Sequence, residues 1–193
     1  MRCAVSTSRC SRRTTGASSP APIVIRPVVV YPDRRLKQVC MPVHAFGPAL
    51  ARLAADLEET ARSFPRTTGI AAPQVGERWR VCFIDCTDNP KVPSPHGPTV
   101  MVNPVLLHHA GDEIGREGCL SLPEITANVE RPTDIAVRYQ DIHGVSHVMT
   151  TDGFEARVVL HEMDHLDGIL ILDRVKSLAL DVFPRKTRSG RRT

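Results

Sequence analysis

The sequence lacks any apolar run long enough to cross a membrane as a helix. Such a span needs about 20 consecutive apolar residues, whereas the longest apolar stretches here, around residues 28–30 and 169–172, have only the length of a strand. No apolar core of a signal peptide precedes the folded part, and no internal repeat is visible. The sequence therefore predicts no membrane span, and nothing in it supports an oxidising compartment for the six cysteines.

Acidic residues are absent from both ends of the chain. Residues 1–32 hold five arginines and residues 185–193 hold five basic groups, with no Asp or Glu in either segment. The intervening residues, 33–184, carry 15 basic and 21 acidic side chains, so their net charge is −6 although that of the whole chain is +4. A nucleic-acid-binding domain concentrates cations on its folded face. The sequence therefore predicts no specific DNA binding.

This distribution divides the chain into three parts. Residues 1–27 are rich in Ser, Thr, Arg and Pro and lack hydrophobic periodicity, so they are predicted to be a disordered basic extension. Their composition also matches an organellar transit peptide, and a misassigned start codon explains it equally well. Residues 28–184 are predicted to form one folded domain, and residues 185–193 a basic tail.

The hydrophobic pattern favours an α+β fold. Residues 49–64 repeat apolar positions at helical spacing, while alternating, β-branched strands are predicted at 80–85, 99–104, 133–141 and 145–151, the last two as a hairpin. The Gly- and Pro-rich segment 67–76 is predicted to be a loop and 108–118 a turn-rich connection. A last helix is predicted to start at Asp152, with Glu155 completing a capping box, and to end at Gly168.

This last helix carries the motif HEMDH (161–165). Positions four apart lie on one helix face, so His161 and His165 can bind one divalent ion. Glu162 is rotated by about 100° from His161 and can serve as a general base on water at that ion. The flanking residues are apolar over most of the circumference, which indicates a buried helix. The alternative is a surface helix with a chance arrangement of His and Glu.

Two histidines leave such a metal site one protein ligand short. A protease motif would place a third His at Ile171, and a downstream Glu is excluded because Glu162 is the last Glu in the chain. Upstream, the segment EGCLSLP (117–123) offers the thiolate of Cys119, and a Cys-His-His set with an open position suits a catalytic metal. A buried free thiol is the alternative for Cys119. Two aspartates downstream also remain possible ligands: Asp173 and Asp181.

Three blocks, taken together, resemble the peptide deformylase family. That family carries G-x-G-L-A-A-x-Q, E-G-C-L-S and H-E-x-D-H in this order, and here they read TTGIAAPQ (67–74), EGCLS (117–121) and HEMDH (161–165). The resemblance covers about residues 28–175. It implies an α+β fold in which antiparallel β-sheets pack around a central helix that bears the HExxH motif. It also implies a catalytic domain that removes the N-formyl group from the formyl-methionine of nascent polypeptides and releases formate.

The resemblance also implies a role for individual residues. The metal ligands would be Cys119, His161 and His165, holding one divalent ion that is typically Fe(II) in the family, with Zn, Ni or Co able to replace it. Glu162 would take a proton from water and pass it to the leaving amine. The side chain of Gln74 and the backbone N–H of Leu120 would stabilise the oxyanion. The backbone of Gly69 would position the substrate.

Several neighbours of these residues carry further expectations. Arg131 is a candidate partner for Glu117 or Asp164, with a surface arginine as the alternative. Ile70 and Val158 are candidates for the pocket that receives the methionine side chain, with plain core packing as the alternative. The sequence departs from the family pattern at three positions, none of which removes a predicted ligand or base: Thr67 replaces a glycine, Ile70 a leucine, and Leu160 a frequent glutamine.

Two other functions and one further partner remain open at this level. A catalytically silent deformylase-like binding protein would carry the same motifs, and a metalloprotease would share the two histidines and Glu162. The basic tail 185–193 could contact ribosomal RNA, because runs of positive charge attract phosphate. The resemblance favours a bacterial cytoplasm, and the acid-free extension leaves a mitochondrion or a plastid open.

Overall fold

The protein is described here by a computed structural model in which residues 22–186 are placed. Four α-helices, α1 to α4 in chain order, occupy Pro48–Ser63, Gly153–Leu166, Ile171–Arg174 and Leu178–Asp181 of the described chain. Eight strands, β1 to β8, occupy Gly69–Ala71, Val81–Ile84, Thr99–Ala110, Glu113–Cys119, Leu122–Arg131, Asp134–Gln140, Ser146–Asp152 and Val182–Pro184. Two 3-10 turns occupy Arg34–Lys37 and Ala72–Val75.

The strands form two antiparallel sheets. The larger sheet has the strand order β1-β2-β3-β6-β7 and the smaller one β4-β5-β8. The apolar side of α2 packs on the larger sheet, where Ala156, Val159 and Met163 share one buried cluster with residues of β2, β3, β6 and β7. Polar side chains of α2 bond to β4 and β5 of the smaller sheet. The predicted α+β fold with antiparallel sheets around a central helix is therefore confirmed.

Helix α1 forms on the opposite side of the larger sheet. Its apolar residues recur at helical spacing, and Leu50, Leu53 and Leu57 are buried against a cluster that includes Phe83 of β2. Pro48 lies in the first turn, where the N–H that proline lacks would have no partner in the helix. The helix predicted at 49–64 is confirmed to within one residue at each end.

Two segments predicted to be irregular contain strands. The predicted loop at 67–76 includes β1 and the second 3-10 turn, and the predicted connection at 108–118 holds the end of β3 and most of β4. Glycines suggested turns there, but Gly69, Gly115 and Gly118 lie in strands where another side chain comes close. A Cβ at Gly115 would lie 2.6 Å from the guanidinium carbon of Arg157, and one at Gly118 would lie 2.6 Å from Nη2 of Arg185. Glycine in a strand often marks such a close approach.

Helix α2 has the predicted ends but not the predicted cap. It begins after Asp152, and Gly168 follows its end with a left-handed φ of 71°. The capping box is wrong, because the Asp152 side chain accepts no capping hydrogen bond. The buried carboxylate of Glu155 instead accepts hydrogen bonds from the Thr151 hydroxyl and the backbone N–H of His96. Glu155 thereby fastens the loop before β3 to the start of the helix.

The segment before residue 28 is attached to α1. The backbone N–H of Val24 donates to Asp56, and that of Arg26 donates to the Thr60 hydroxyl. Of the predicted extension 1–27, only residues 22–27 are described, and of the predicted tail 185–193, only residues 185 and 186. The predictions for the rest of both segments lie outside the described residues. Cys82 and Cys86 are buried in the core. None of the helices between residues 22 and 186 is long and apolar enough to span a membrane.

Candidate metal centre and active site

Two elements bring the three predicted ligands together. Cys119 ends β4, just before the tight turn into β5, while His161 and His165 lie one turn apart on α2. One ligand atom from each of these three side chains lies within 4.8 Å of the other two. Cys119 Sγ is 3.2 Å from His165 Nε2, and both side chains are almost fully buried. The donor set is therefore already assembled in one small volume.

Glu117 fixes the orientation of the first histidine. Its Oε2 lies 2.9 Å from His161 Nδ1, which leaves Nε2 of the same ring free to bind a metal. A carboxylate on the far nitrogen is the usual way in which a metal-binding histidine is held and made more basic. The bond comes from β4, two residues before Cys119, so one strand supplies a ligand and orients another.

Arg131 bridges the two acidic groups of this support. Its guanidinium donates to Glu117 at 2.6 and 3.0 Å and to Asp164 at 2.8 Å, and only 4% of its side chain is exposed. The expectation that Arg131 pairs with one of these acids is therefore confirmed for both. Arg157 adds a further bond to Glu117, and Arg174 bonds Asp164 from the surface side.

These cations keep Glu117 ionised. Burial alone would raise the pKa of its carboxyl group, but the hydrogen bonds and charges of His161 and Arg131 outweigh burial and lower the pKa to about 2. Glu117 is therefore an anion at any physiological pH. It is a fixed support for His161, and it does not exchange protons during a reaction near neutrality.

The ligand atoms favour a bound cation. Burial raises the pKa of the Cys119 thiol, but the charge of His165 and hydrogen bonds from both histidines outweigh it and hold the pKa well below its usual range. Burial conversely lowers the pKa of His161, but Cys119 and Glu117 hold it well above its usual range. Two buried anions, Cys119 and Glu117, thus favour positive charge at this site. A divalent ion, bound by the thiolate and the neutral imidazoles, supplies that charge directly.

Glu162 stands beside the ligands with one oxygen unused. Its side chain is buried, and its Oε2, like Nδ1 of His165, has no hydrogen-bond partner within residues 22–186. Burial raises the pKa of this carboxyl group to about 7, although the charges of His161 and His165 oppose the shift. A buried polar atom without a partner is costly. This atom is explained if a group that is not part of the chain bonds it.

Gly69 leaves the space that Glu162 occupies. A Cβ at this position would lie 2.5 Å from Glu162 Oε1, a distance that real Cβ contacts essentially never show. Any side chain at residue 69 would therefore displace the carboxylate from the ligands. The backbone of Gly69 is part of β1, at the edge of the larger sheet.

Gln74 directs an amide toward the ligand turn. Its Oε1 accepts the N–H of Ala71 at 2.8 Å, which fixes the orientation of the side chain. Its Nε2 then lies 3.3 Å from Ser121 Oγ and 3.6 Å from Cys119 Sγ. Gln74 is 1% exposed, so these donors are held in a water-poor environment beside the metal centre.

A cavity of about 350 Å³ connects this centre to the surface. Apolar contacts come from Leu120, Phe154 and Val158, whereas Ile70 lies in the core on the other side and does not line the cavity. Thr67, which replaces a family glycine, is part of the wall. Of the predicted site residues, six line the cavity: Gly69, Gln74, Cys119, Leu120, His161 and Glu162.

The sequence did not single out four arginines that line this cavity. Arg157 is the only Lys or Arg in α2, and a cation on a helix predicted to be buried was the signal that could have identified it. Glycines in β4 were the signal for two close contacts, since Gly115 faces Arg157 and Gly118 faces Arg185. The remaining two, Arg66 and Arg116, carry no distinguishing pattern in the sequence.

Comparison with known proteins agrees with this geometry. The family model for polypeptide deformylase matches residues 25–180. This chain belongs to the polypeptide deformylase family. The activity of the family is therefore assigned to it: peptide deformylation by a metal-dependent hydrolase, with a metal site formed by Cys119, His161 and His165.

Individual family members resemble the chain over most of its length. The peptide deformylase of Mesorhizobium japonicum is 37% identical over 163 residues, which cover 84% of this chain and 90% of that protein. The crystal structure of the Thermotoga maritima enzyme has a TM-score of 0.73 and 34% identity, covering 80% of this chain and 99% of that one. A Met-Ala-Ser-bound structure of the class I type b enzyme from Acinetobacter baumannii has a TM-score of 0.74 and 36% identity, covering 80% and 100%.

Proposed function

We propose that this enzyme hydrolyses the formamide bond of N-terminal formyl-methionine in nascent polypeptides, with Glu162 as its general base. One observation carries this assignment: a buried carboxylate oxygen that no group within residues 22–186 bonds lies beside three assembled metal ligands at an open cavity. The Acinetobacter baumannii relative binds Met-Ala-Ser, which is the peptide that deformylation of formyl-Met-Ala-Ser would leave. That ligand supports formyl-methionyl peptides as the substrate class.

We infer that the resident metal is Fe(II), held by Cys119, His161 and His165. A divalent ion at these ligands supplies Lewis-acid polarisation of the formyl carbonyl and lowers the pKa of water. Soft thiolate and imidazole ligands also accept Zn, Ni or Co, so the choice of Fe(II) rests on the resemblance to the family. Metal analysis of anaerobically purified protein tests it, and stoichiometric zinc without iron would overturn it.

Glu162 moves the proton in this proposal. Its carboxylate takes a proton from the attacking water as the water oxygen bonds to the formyl carbon. When the carbon–nitrogen bond breaks, the same proton passes from Glu162 to the leaving amine, so that formate and a free N-terminus are the products. A carboxyl group whose pKa is raised toward the working pH can both accept and return a proton, and burial raises the pKa of Glu162 above its usual range.

The other predicted residues bind and orient the substrate. The amide of Gln74 and the backbone N–H of Leu120 donate to the oxygen of the formyl group as it gains negative charge. Donors fixed before the reaction are effective because they need no reorganisation when the charge develops, and Gln74 is fixed by its bond to Ala71. The backbone of Gly69, on the edge strand β1, pairs with the extended backbone of the peptide.

Formate release from formyl-Met-Ala-Ser tests the proposed function. We expect stoichiometric formate and intact Met-Ala-Ser, with no cleavage inside the peptide and no reaction of acetyl-Met-Ala-Ser. Internal cleavage without formate would favour the metalloprotease. Absence of any product from metal-replete protein would favour the catalytically silent binding protein.

We also propose a bacterial cytoplasm as the compartment, in keeping with bacterial relatives such as that of Mesorhizobium japonicum. Contact of the tail 185–193 with the ribosome stays a prediction based on its charge. Co-sedimentation with ribosomes should fall when residues 185–193 are removed, and equal co-sedimentation would overturn the prediction.

A further inference from the structure

We propose that three arginines at the open end of the cavity select formyl-methionyl peptides that carry an acidic side chain shortly after the methionine. The three are Arg66, Arg116 and Arg185, and we call them the arginine rim. The inference rests on the proposed function, because it concerns the part of the same substrate that follows the formyl end.

The arginine rim is assembled from three separate elements. Arg66 precedes β1, Arg116 lies in β4, and Arg185 follows β8, yet all three line the same cavity as Glu162 and Cys119. All three are exposed, whereas Glu162 and Cys119 are buried. The arginines thus lie at the outer end of the cavity and the reacting groups at its inner end. A polypeptide whose formyl group reaches Glu162 must leave the cavity past the arginine rim.

No carboxylate within residues 22–186 neutralises these charges. Arg116 donates to the Thr126 hydroxyl, and Arg185 donates to the backbone carbonyl of Cys119, both of which are neutral. Arg66 forms no hydrogen bond or ion pair within that part of the chain. The remaining ion pairs of the structure join other residues, so the arginine rim carries three unpaired positive charges.

The acidic groups of the cavity do not compensate the arginine rim. Glu117 is buried and already bonds Arg131, Arg157 and His161. Glu162 is buried at the metal centre, with its pKa raised to about 7. Arg157 is the fourth arginine of the wall, but it is buried and paired with Glu117. The uncompensated charge is therefore located at the outer end, where the peptide leaves.

The structure holds two of these arginines in place. The Arg116 guanidinium stacks on the Phe183 ring at 3.5 Å from its centre. Nη2 of Arg185 fills the space over Gly118, where a Cβ would lie only 2.6 Å away. Such support reduces the conformational entropy that a side chain loses on binding. A planar guanidinium held in this way is suited to a carboxylate, which it can bind through two parallel hydrogen bonds.

Peptides that differ only in one charge test the proposal. The series is formyl-Met followed by alanines with a C-terminal amide, with Glu, Gln or Lys placed singly at residue two, three, four or five. At low salt we expect kcat/KM for Glu to exceed that for Gln by roughly three- to tenfold at one or more positions, the size expected of a few exposed ion pairs. Lys should fall below Gln. The ratio should approach one in about 1 M salt, where the screening length is about 3 Å.

Variants of the arginine rim test whether these arginines cause the preference for acidic peptides. The ratio of Glu to Gln peptides should fall toward one when Arg66→Gln, Arg116→Gln and Arg185→Gln are combined, and partly in each single variant. Arg138→Gln is the matched control, because Arg138 is exposed on β6 and does not line the cavity. It should keep the full ratio.

The outcomes separate this inference from the proposed function. Equal kcat/KM for Glu and Gln at all four positions, with formate released from every peptide, would overturn the arginine rim alone. A preference that survives the triple variant would also overturn it. Failure to release formate from any peptide, including the Gln series, would instead overturn the proposed function on which the inference rests.

Discussion

Two buried glutamates lie on either side of the ligand His161 and have opposite properties. Glu117 bonds Arg131, Arg157 and His161, and its pKa is lowered to about 2. Glu162 has an oxygen that no other group in the described part of the chain bonds, and burial raises its pKa to about 7. The two groups have the same chemistry and comparable burial, so only their partners distinguish them.

The difference explains how one small site can be both rigid and reactive. On the side of the smaller sheet, Arg131 links Glu117 to Asp164, so both of these buried acids are paired. On the side of the larger sheet, Gly69 leaves room for Glu162 but offers it no side chain. Paired groups hold the ligands, whereas the unpaired oxygen is left for water and substrate. The following variants separate these two tasks, from the largest expected effect to the smallest.

Removal of the thiolate should abolish metal binding. Cys119→Ala leaves two histidines on one helix, which is too few ligands for a stable catalytic site. We expect metal content near zero in the purified variant and no measurable formate release. Cys86→Ala is the matched control, since Cys86 is equally buried but lies away from the ligands. Stoichiometric metal in Cys119→Ala would show that the metal site is misassigned.

Replacement of Arg131 should mainly reduce the stability of the protein. Arg131→Met leaves Glu117 and Asp164 buried with fewer partners, and breaking a buried ion pair in this way costs about 3–5 kcal/mol. The free energy of unfolding of the metal-free protein in urea measures the effect. A loss below about 1 kcal/mol would mean that the other arginines compensate fully.

Replacing the Glu117 carboxylate with a neutral amide should weaken metal binding without abolishing it. In Glu117→Gln, an amide replaces the carboxylate that accepts the His161 Nδ1 hydrogen, so the ring is less basic and less firmly oriented. Changes of this kind lower metal affinity by about 10- to 100-fold. Competition with a chromophoric chelator measures the affinity, and an unchanged value would exclude Glu117 from the support.

Replacement of Arg174, the exposed arginine that bonds Asp164, should have the smallest effect on stability. Arg174 bonds the same Asp164 as Arg131 does, but 46% of its side chain is exposed. Exposed ion pairs contribute about 0–1 kcal/mol. Arg174→Ala should therefore lower the free energy of unfolding by less than about 1 kcal/mol. A loss as large as that of Arg131→Met would contradict the view that burial, and not the number of bonds, determines the effect.

The metal ligands and Glu162 were easier to predict from sequence than the arginines that surround Glu117 and Cys119. His161, Glu162 and His165 are four residues or fewer apart on one helix, so helical geometry alone relates them. Cys119 was found through the order of three motifs, and Gly69, Gln74 and Leu120 were taken from the same resemblance. The structure brings these residues together: six of them line one cavity, and His165 lies next to Cys119 and His161 at the metal centre without lining the cavity.

The arginines around Glu117 and Cys119 come from elements that are far apart in the chain. Contacts of this kind are difficult to predict from a single sequence. Arg131 was predicted as a partner, whereas Arg157 and Arg185 were not, because their positions in the sequence do not relate them directly to Glu117 and Cys119. The glycines of β4 were taken as turn residues although they make space for these arginines. A glycine that permits a turn and one that permits a close contact look alike in a single sequence.

The central claim is that Glu117 holds the metal site and Glu162 moves the proton. Metal content and kcat, measured together in Glu162→Gln and Glu117→Gln, test it most directly. We predict that Glu162→Gln retains stoichiometric metal and loses about 10²- to 10⁴-fold in kcat, whereas Glu117→Gln loses metal affinity first. Near-normal kcat in Glu162→Gln with metal bound would contradict the account.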